Sequence, residues 1–472
     1  MTAPVGRAAY GPRRGELLHL SGGASRSALI TGPSGSGKSA LALGMMLKSL
    51  RDGEQVVLVD PKGELAANTL RYAACVCGDL RHDEVLHVEP AQGLGLPMNV
   101  LLEPLPADEV ASGVRMALES AMGSAFGVQQ AGVLHGLLMA LAEAGGSILQ
   151  VEDVLLHEEA REALGARVTS GRSRHFLTHL LPSVSPSRAF AIAGRISRLT
   201  ESRMIAASLN ASAPLRVDEI LRKRLVVFNL GGLSGGQQAG ATMLTRLLFG
   251  ALARGVLRRR DTRRHLTLYI DEAQAVVGDL AGELEQLLQE ARWREASLTL
   301  LTQGLEQLRS QELRAALRTN IGHAICLAPR RDELQFLADQ LPRATGRAVD
   351  PERPDRLLTK AAEAAILRER LAQLPARYGI FVTFGRRSTV IRTADVPFER
   401  LDALAGRAHS LAGSGAFGLT QLETMGVAPL TSIPGATDRS SQSEPVQRRT
   451  QKVSRPPGRK RGRQYTSVEL PE

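Results

Sequence analysis

Aromatic side chains are scarce in this chain: Phe, Trp and Tyr make up 3% of 472 residues, and Trp293 is the single tryptophan. With 43% apolar residues overall, the interior must be filled by aliphatic side chains. Cysteine is also rare. Cys75, Cys77 and Cys326 give no disulfide framework, and one Cys-x-Cys pair offers too few ligands for structural zinc. No apolar run approaches the ~18 residues of a membrane helix; the nearest, Ala131–Ala144, is interrupted by His135 and Glu143. The N-terminus has arginines but no apolar signal-peptide core. No repeat period is evident. These absences predict a cytoplasmic protein with reduced thiols and no integral membrane segment, peripheral to the inner membrane at most through partners.

The net charge of +11 is unevenly spread. Arg448, Arg449, Lys452, Arg455, Arg459, Lys460, Arg461 and Arg463 lie in one acid-free stretch, so the body is close to neutral. From about Gly406 onward Gly, Ser, Thr and Pro accumulate and hydrophobic periodicity fades, which predicts a disordered basic tail over 406–472.

Short aliphatic runs recur at Ala28–Thr31, Val56–Asp60, Val85–Glu89, Leu225–Leu230, Leu266–Asp271, Leu298–Gln303, Ala324–Leu327, Tyr378–Phe384 and Thr389–Arg392. They are continuous rather than alternating, as expected of strands covered on both faces of a mostly parallel sheet. Helical patterns fall between several of them, at Ser39–Leu50, Gln237–Leu257 and Leu280–Arg294. The alternation predicts an α/β fold. Between them, 107–221 carries helical patterns only (Glu109–Ala121, Gln129–Glu143, Val151–Leu164) and reads as an all-helical insertion. The expected organisation is a sheet domain in two parts, 1–106 and 222–405, split by the insertion at 107–221 and followed by the tail.

The strongest signal is Gly32-Pro33-Ser34-Gly35-Ser36-Gly37-Lys38-Ser39, a complete G-x-x-x-x-G-K-[ST] loop between an apolar strand and a helix-forming run. Glycines let backbone N–H groups converge on phosphate oxygens, and the following helix directs its positive end at them. Lys38 would reach the β- and γ-phosphates of ATP, and the Ser39 hydroxyl would hold Mg²⁺. A second signal is the strand Leu266–Ile270 ending in Asp271-Glu272: Asp271 for the metal's water shell, Glu272 to orient the attacking water. The alternative is a strand that ends in two solvated acids. The next strand ends in Gln303, either a sensor of the γ-phosphate or a turn residue.

These residues resemble the FtsK–HerA type of ring ATPases, and within it the TraG and TraD kind of coupling protein of conjugative type IV secretion. Asp60-Pro61-Lys62-Gly63-Glu64 matches a signature of that family after the second strand. Met98-Asn99-Val100-Leu101, the acidic pair, Arg292, Gln303-Gly304-Leu305-Glu306-Gln307-Leu308 and Asn320 follow in the family's order. The resemblance spans about 29–392. It implies a RecA-like fold and an ATP-driven DNA translocase, a homohexamer with ATP at subunit interfaces and DNA in a central channel. It also implies an arginine acting in trans, Arg292 first and Arg294 second, and relaxase or secretion-channel partners. Lys62 and Glu64 are either structural or close to the nucleotide. Two departures stand out: the P-loop begins at residue 32, leaving no room for a membrane hairpin, and Glu295 replaces a common glycine. A HerA-like DNA-processing ATPase and a nucleotide-gated recruitment module for a secretion channel therefore stay open. Leu233-Ser234-Gly235-Gly236-Gln237-Gln238 spells the ABC-transporter signature, but it follows a strand directly and reads as a glycine-rich turn. Arg172, Arg174, Arg188, Arg195 and Arg198 would either face a channel or solvate a helix surface.

Overall fold

The computed structural model describes residues 4–10, 13–20, 26–122, 127–235, 237–277, 281–308, 311–337, 341, 348–350, 356–384, 388–405 and 410–430. Eleven strands form one sheet: β1 Pro4–Ala8, β2 Leu17–His19, β3 Ala28–Thr31, β4 Gln55–Asp60, β5 Val85–Val88, β6 Leu225–Asn229, β7 Leu266–Ile270, β8 Ala296–Thr302, β9 His323–Leu327, β10 Tyr378–Thr383 and β11 Thr389–Thr393. Their spatial order is β2-β1-β11-β10-β9-β3-β8-β7-β4-β6-β5. From β9 through β5 neighbours run parallel. From β9 outward through β10, β11, β1 and β2 they run antiparallel.

Successive residues of a strand point to opposite faces, and here both faces are covered. Leu29, Val57, Phe228, Leu268 and Leu300 join one core with the helices Ala107–Met122, Val128–Glu143, Gln237–Leu257, Ala281–Glu290 and Gln311–Asn320. Ile30, Val56, Leu58, Tyr269 and Leu301 join the other with the helices Lys38–Arg51 and Glu64–Val76. The continuous apolar runs are the direct consequence of this double burial. Leu29 is fully buried at the sheet centre, and its truncation to alanine would cost about 3 kcal/mol.

Among the described residues, the expected helical segment carries no strand between β5 and β6. One pattern differs: the run from Val151 is broken at His157, whose extended backbone separates Val151–Leu156 from Glu158–Arg167. These helices share the core that covers one sheet face. Asn99 fastens them to it, donating to the carbonyls of Gly146 and Ala211 at 2.9 and 3.2 Å. The helix Gln237–Leu257, passed over in favour of Ala131–Ala144, is in fact long and apolar enough to cross a membrane. It is 72% buried in its most apolar window, packed between sheet and helices.

The chain beyond 405 also departs from expectation. Residues 410–430 are folded along the β5 edge. His87 donates its amide to Ser414 (2.8 Å), Gly95 and Phe417 exchange a pair of amide bonds at 2.9 Å, and Val427 donates to Asn210 at 2.7 Å. Low hydrophobicity hid this segment because much of its attachment is through backbone groups that cover a sheet edge, with only a few scattered leucines, Leu411, Leu422 and Leu430, buried. The expected disorder from 406 onward therefore does not hold over 410–430; 406–409 and 431–472 lie outside the described residues. The basic stretch 448–463 lies outside the described residues.

Candidate nucleotide site

All parallel strands end on one sheet edge, and three loops there leave β3, β4 and β7. The loop after β3 needs three glycines in left-handed or related backbone: Gly32 (φ 152), Gly35 (φ 78) and Gly37 (φ 100). A Cβ on Gly32 would lie 2.6 Å from the Leu327 carbonyl, so no larger residue fits. Gly37 caps the helix Lys38–Arg51, leaving its first amides free to meet an anion. Within the loop, the Ser36 hydroxyl is buried and has no hydrogen-bond partner, as a cradle for phosphate oxygens requires. Lys38 folds back to donate to the Gly32 carbonyl at 2.6 Å and that of Pro33 at 3.1 Å. Burial lowers the Lys38 ammonium from its ordinary range, although Glu272 and Asp271 pull the other way. Ser39 is exposed at the mouth of the loop.

The second set comes from β7 and β4, which are adjacent. Asp271 is buried; that burial, with the neighbouring Asp60 carboxylate, pushes its carboxyl up to about 6. Two crowded carboxylates are a setting that a divalent cation would relieve. Asp60 itself is engaged, accepting the amides of Lys62 and Ala66 at 2.8 Å each. Glu272 sits in left-handed backbone (φ 46). Burial works to raise its carboxyl, but hydrogen bonds from Lys62, Gln303 and Gln274 outweigh that and hold it below the ordinary range. Gln303 donates to Oε1 at 3.0 Å, Lys62 ion-pairs with the same oxygen, and Gln274 donates to Oε2. The carboxylate is thus kept ionised and aimed, the state a base needs.

Lys38, Asp271, Glu272 and Gln303 therefore share one crevice, and Lys62 joins them. Lys62 was legible only as part of a motif of undecided role; the rule that parallel strands present their C-termini together is what places it. Gln274 and Arg330, whose charge also acts on Lys38, carried no sequence signal. Glu64 is exposed in the first turn of its helix. Glu333, below Gln303, accepts the amides of Leu305 and Arg330 at 3.3 and 2.9 Å. Burial and the adjacent Asp332 push its carboxyl up to about 7.

Arg292 is not in this crevice. It lies exposed in the turn Ala291–Arg294 before β8, on the opposite sheet edge. Arg294 shares that turn. Asn320, also on that edge, bonds its own helix at Ala316 (3.1 Å). A cavity of about 490 Å³, lined in part by Glu103, Arg216, Arg258 and Arg259, is likewise remote from the P-loop. In the turn Gly231-Gly232, Gly231 packs on the Lys62 carbonyl, where a Cβ would not fit, and Gly232 takes a positive φ of 79; Gly236 is outside the described residues. Of the insertion arginines, Arg174 bonds the Val168 carbonyl and Arg195 bonds Gln130.

No protein-family profile matches the chain, and no curated protein sequence matches it. Among solved structures it is similar to VirB4 of Thermoanaerobacter pseudethanolicus, 16% identical with a TM-score of 0.54, over 85% of this chain and 98% of that one. The bacterial conjugative coupling protein TrwBdeltaN70 aligns at 14% identity and a TM-score of 0.49, over 84% and 89% of the two chains. The plasmid coupling protein TrwB in complex with ADP and Mg²⁺ aligns at 14% and 0.47, over 78% and 86%. With the sheet order and the P-loop after β3, the likeness establishes a RecA-like P-loop fold.

Proposed function

We propose that the chain hydrolyses ATP and uses it to move DNA, as a coupling ATPase of the conjugative kind working in a ring of six copies. The observation that carries this is the Glu272 carboxylate, held charged by Lys62, Gln303 and Gln274 over the loop that bears Lys38. A protein that only bound nucleotide would have no use for an aimed base. In this reading Lys38 exchanges the Gly32 and Pro33 carbonyls for phosphate oxygens. The loop residues Gly32, Pro33, Ser34, Gly35, Ser36 and Gly37 supply backbone amides, and the Ser36 hydroxyl gains the partner it lacks. Ser39 and Asp271 would hold Mg²⁺, which neutralises charge on the β- and γ-phosphates. Glu272 orients water and accepts its proton, while Gln303 registers the γ-phosphate through its bond to Glu272.

Arg292 faces away from its own P-loop, so it can complete only another copy's site; that favours a ring with an arginine supplied in trans. The two sheet blocks, 1–106 and 222–405, would form the motor, with 107–221 as its helical insertion. DNA in the channel, a cytoplasmic location, and relaxase or secretion-channel partners belong to the same proposal. The test is ATP turnover of the full chain with no DNA, single-stranded DNA and double-stranded DNA, with Lys38→Ala as the blank. We expect DNA to raise turnover severalfold and Lys38→Ala to abolish it. Negligible turnover with every DNA form would end the motor reading; nucleotide-dependent partner binding without turnover would leave a recruitment module.

A further inference from the structure

Four non-glycine residues among those described have positive φ: Glu272, Glu295, Ala328 and Arg377. Arg377 is the most extreme, with φ 70. An arginine gains nothing from left-handed backbone that glycine or asparagine would not provide at less strain. Strain of this kind persists where the surroundings over-determine it, and here they do. The Arg377 amide donates to the Ser36 carbonyl of the P-loop at 3.0 Å, and its own carbonyl accepts from Thr393 at 2.8 Å. Its Cγ lies where it would touch a Cβ on Gly37, at 3.5 Å. The guanidinium is pinned at its edge: Nη1 pairs with Asp395 at 2.6 Å, and Nη2 donates to the Ala394 carbonyl at 3.1 Å. Yet 37% of the side chain is exposed. Two contacts fix the plane of the guanidinium while the side chain stays partly exposed, and a planar cation held in this way is suited to stacking on a planar ring.

Position supplies the rest. In the sheet, β3 and its loop have β8, β7 and β4 on one side and β9, β10 and β11 on the other. The groups fitted for hydrolysis, Gln303, Glu272 and Lys62, all follow strands of the first side. A triphosphate in the loop must point its terminal phosphate there, so its nucleoside leaves toward the second side. Arg377 opens β10 and Asp395 follows β11, which puts both on that side, against the start of the helix Lys38–Arg51. Val396 marks the same flank, lying 3.3 Å from where a Cβ on Gly44 would sit.

We propose that Arg377, held by Asp395 and Ala394, recognises the nucleoside half of the bound nucleotide by stacking its guanidinium on the base. The proposal rests on the nucleotide reading above and deepens it. Its test compares binding of ATP, ADP and inorganic tripolyphosphate to the full chain by calorimetry. Arg377→Ala should weaken ATP and ADP alike by about tenfold, the range of a partly exposed cation–ring contact, and leave tripolyphosphate unchanged. The wild type should prefer purine to pyrimidine triphosphates, and the variant should lose most of that preference. Arg377→Gly relieves the backbone strain, so it should melt no lower than wild type while losing nucleotide affinity as the alanine variant does. Equal weakening of tripolyphosphate would make Arg377 a prop of the loop and overturn the proposal, as would unchanged ATP affinity in Arg377→Gly. If wild-type chain binds neither ATP nor tripolyphosphate, the nucleotide reading has failed first and takes this one with it.

Discussion

The two edges of the sheet both bury charge, but they do it with different partners. At the P-loop edge the partners of Glu272 are side chains: Lys62, Gln303 and Gln274. Nearby, Asp271 is crowded by Asp60, and the Ser36 hydroxyl has no partner. At the other edge Arg259 is equally buried, and four acceptors are arranged around it. Its Nη1 donates to the carbonyls of Arg294 and Glu295 at 2.8 and 3.0 Å. Its Nη2 donates to the Arg264 carbonyl at 2.5 Å and to Gln55 Oε1 at 2.6 Å. Arg259 meets four acceptors and acts as a clamp; at the P-loop edge Lys38 donates to only two loop carbonyls, the Ser36 hydroxyl has no partner and Glu272 is held by rotatable side chains, so these groups can trade partners with a ligand. Burial of charge alone does not mark a site. Unfilled or exchangeable hydrogen-bonding capacity does.

The contrast is broken most severely at Glu272. Glu272→Gln keeps the shape and the contacts with Gln303 but removes the base. We expect ATP turnover to fall by about 10²–10³-fold while ATP binding stays within a few-fold of wild type. Retained turnover in that variant would return the acidic pair to the status of a strand ending in solvent. Arg292→Ala tests the proposal that the other edge completes a neighbour's site. Turnover of the assembled protein should fall by about 10²-fold or more, with ATP affinity of the single chain unaffected. Equal activity would remove the trans arginine from the proposal.

Much of this was written in the chain. The nine strands expected from apolar runs are present, their ends displaced by a residue or two, because double burial leaves each as an uninterrupted aliphatic stretch. The crevice was legible too, since the P-loop, Asp271-Glu272 and Gln303 all end such strands. Two edge strands were not. Pro4–Ala8 and Leu17–His19 are short, one carrying Gly6 and Arg7; the first is held by antiparallel pairing to the distant β11, and the second pairs only with the first. Arg377 was invisible for a related reason: its meaning lies in a φ angle and in contacts with Ser36 and Asp395, and neither leaves a pattern in spacing. The segment 410–430 looked like a tail because backbone pairing carries much of its attachment and its buried leucines, Leu411, Leu422 and Leu430, are too widely spaced to show a period.

Arg259 sharpens the comparison from the stability side. Arg259→Ala leaves Gln55 and three backbone carbonyls without their buried donor. A loss of about 3 kcal/mol in unfolding free energy follows, read by chemical denaturation, with nucleotide affinity of the folded protein unchanged. If affinity fell along with stability, the two edges would be coupled and the clamp would be part of the site.

The smallest effect comes from His265, beside that clamp. Burial, then the charges of Arg26 and Arg259, depress its imidazole to about 3 from an ordinary 6.5. The Glu295 carboxylate, 3.6 Å away but largely exposed, does not reverse this. A histidine with a depressed folded value is protonated more readily in the unfolded chain, so unfolding takes up a proton between those two pH values. Stability is therefore full above pH 6.5 and declines as the pH falls toward 3. By pH 5 the decline from this one group is about 2 kcal/mol. His265→Gln removes the titration and can keep a polar contact to Ser297, whose hydroxyl lies 2.9 Å from Nε2. Denaturation curves at pH 8 and pH 5 should then converge by roughly that amount relative to wild type. An unchanged gap would mean that His265 keeps its proton affinity in the folded state, and that this edge is wetter than its packing implies.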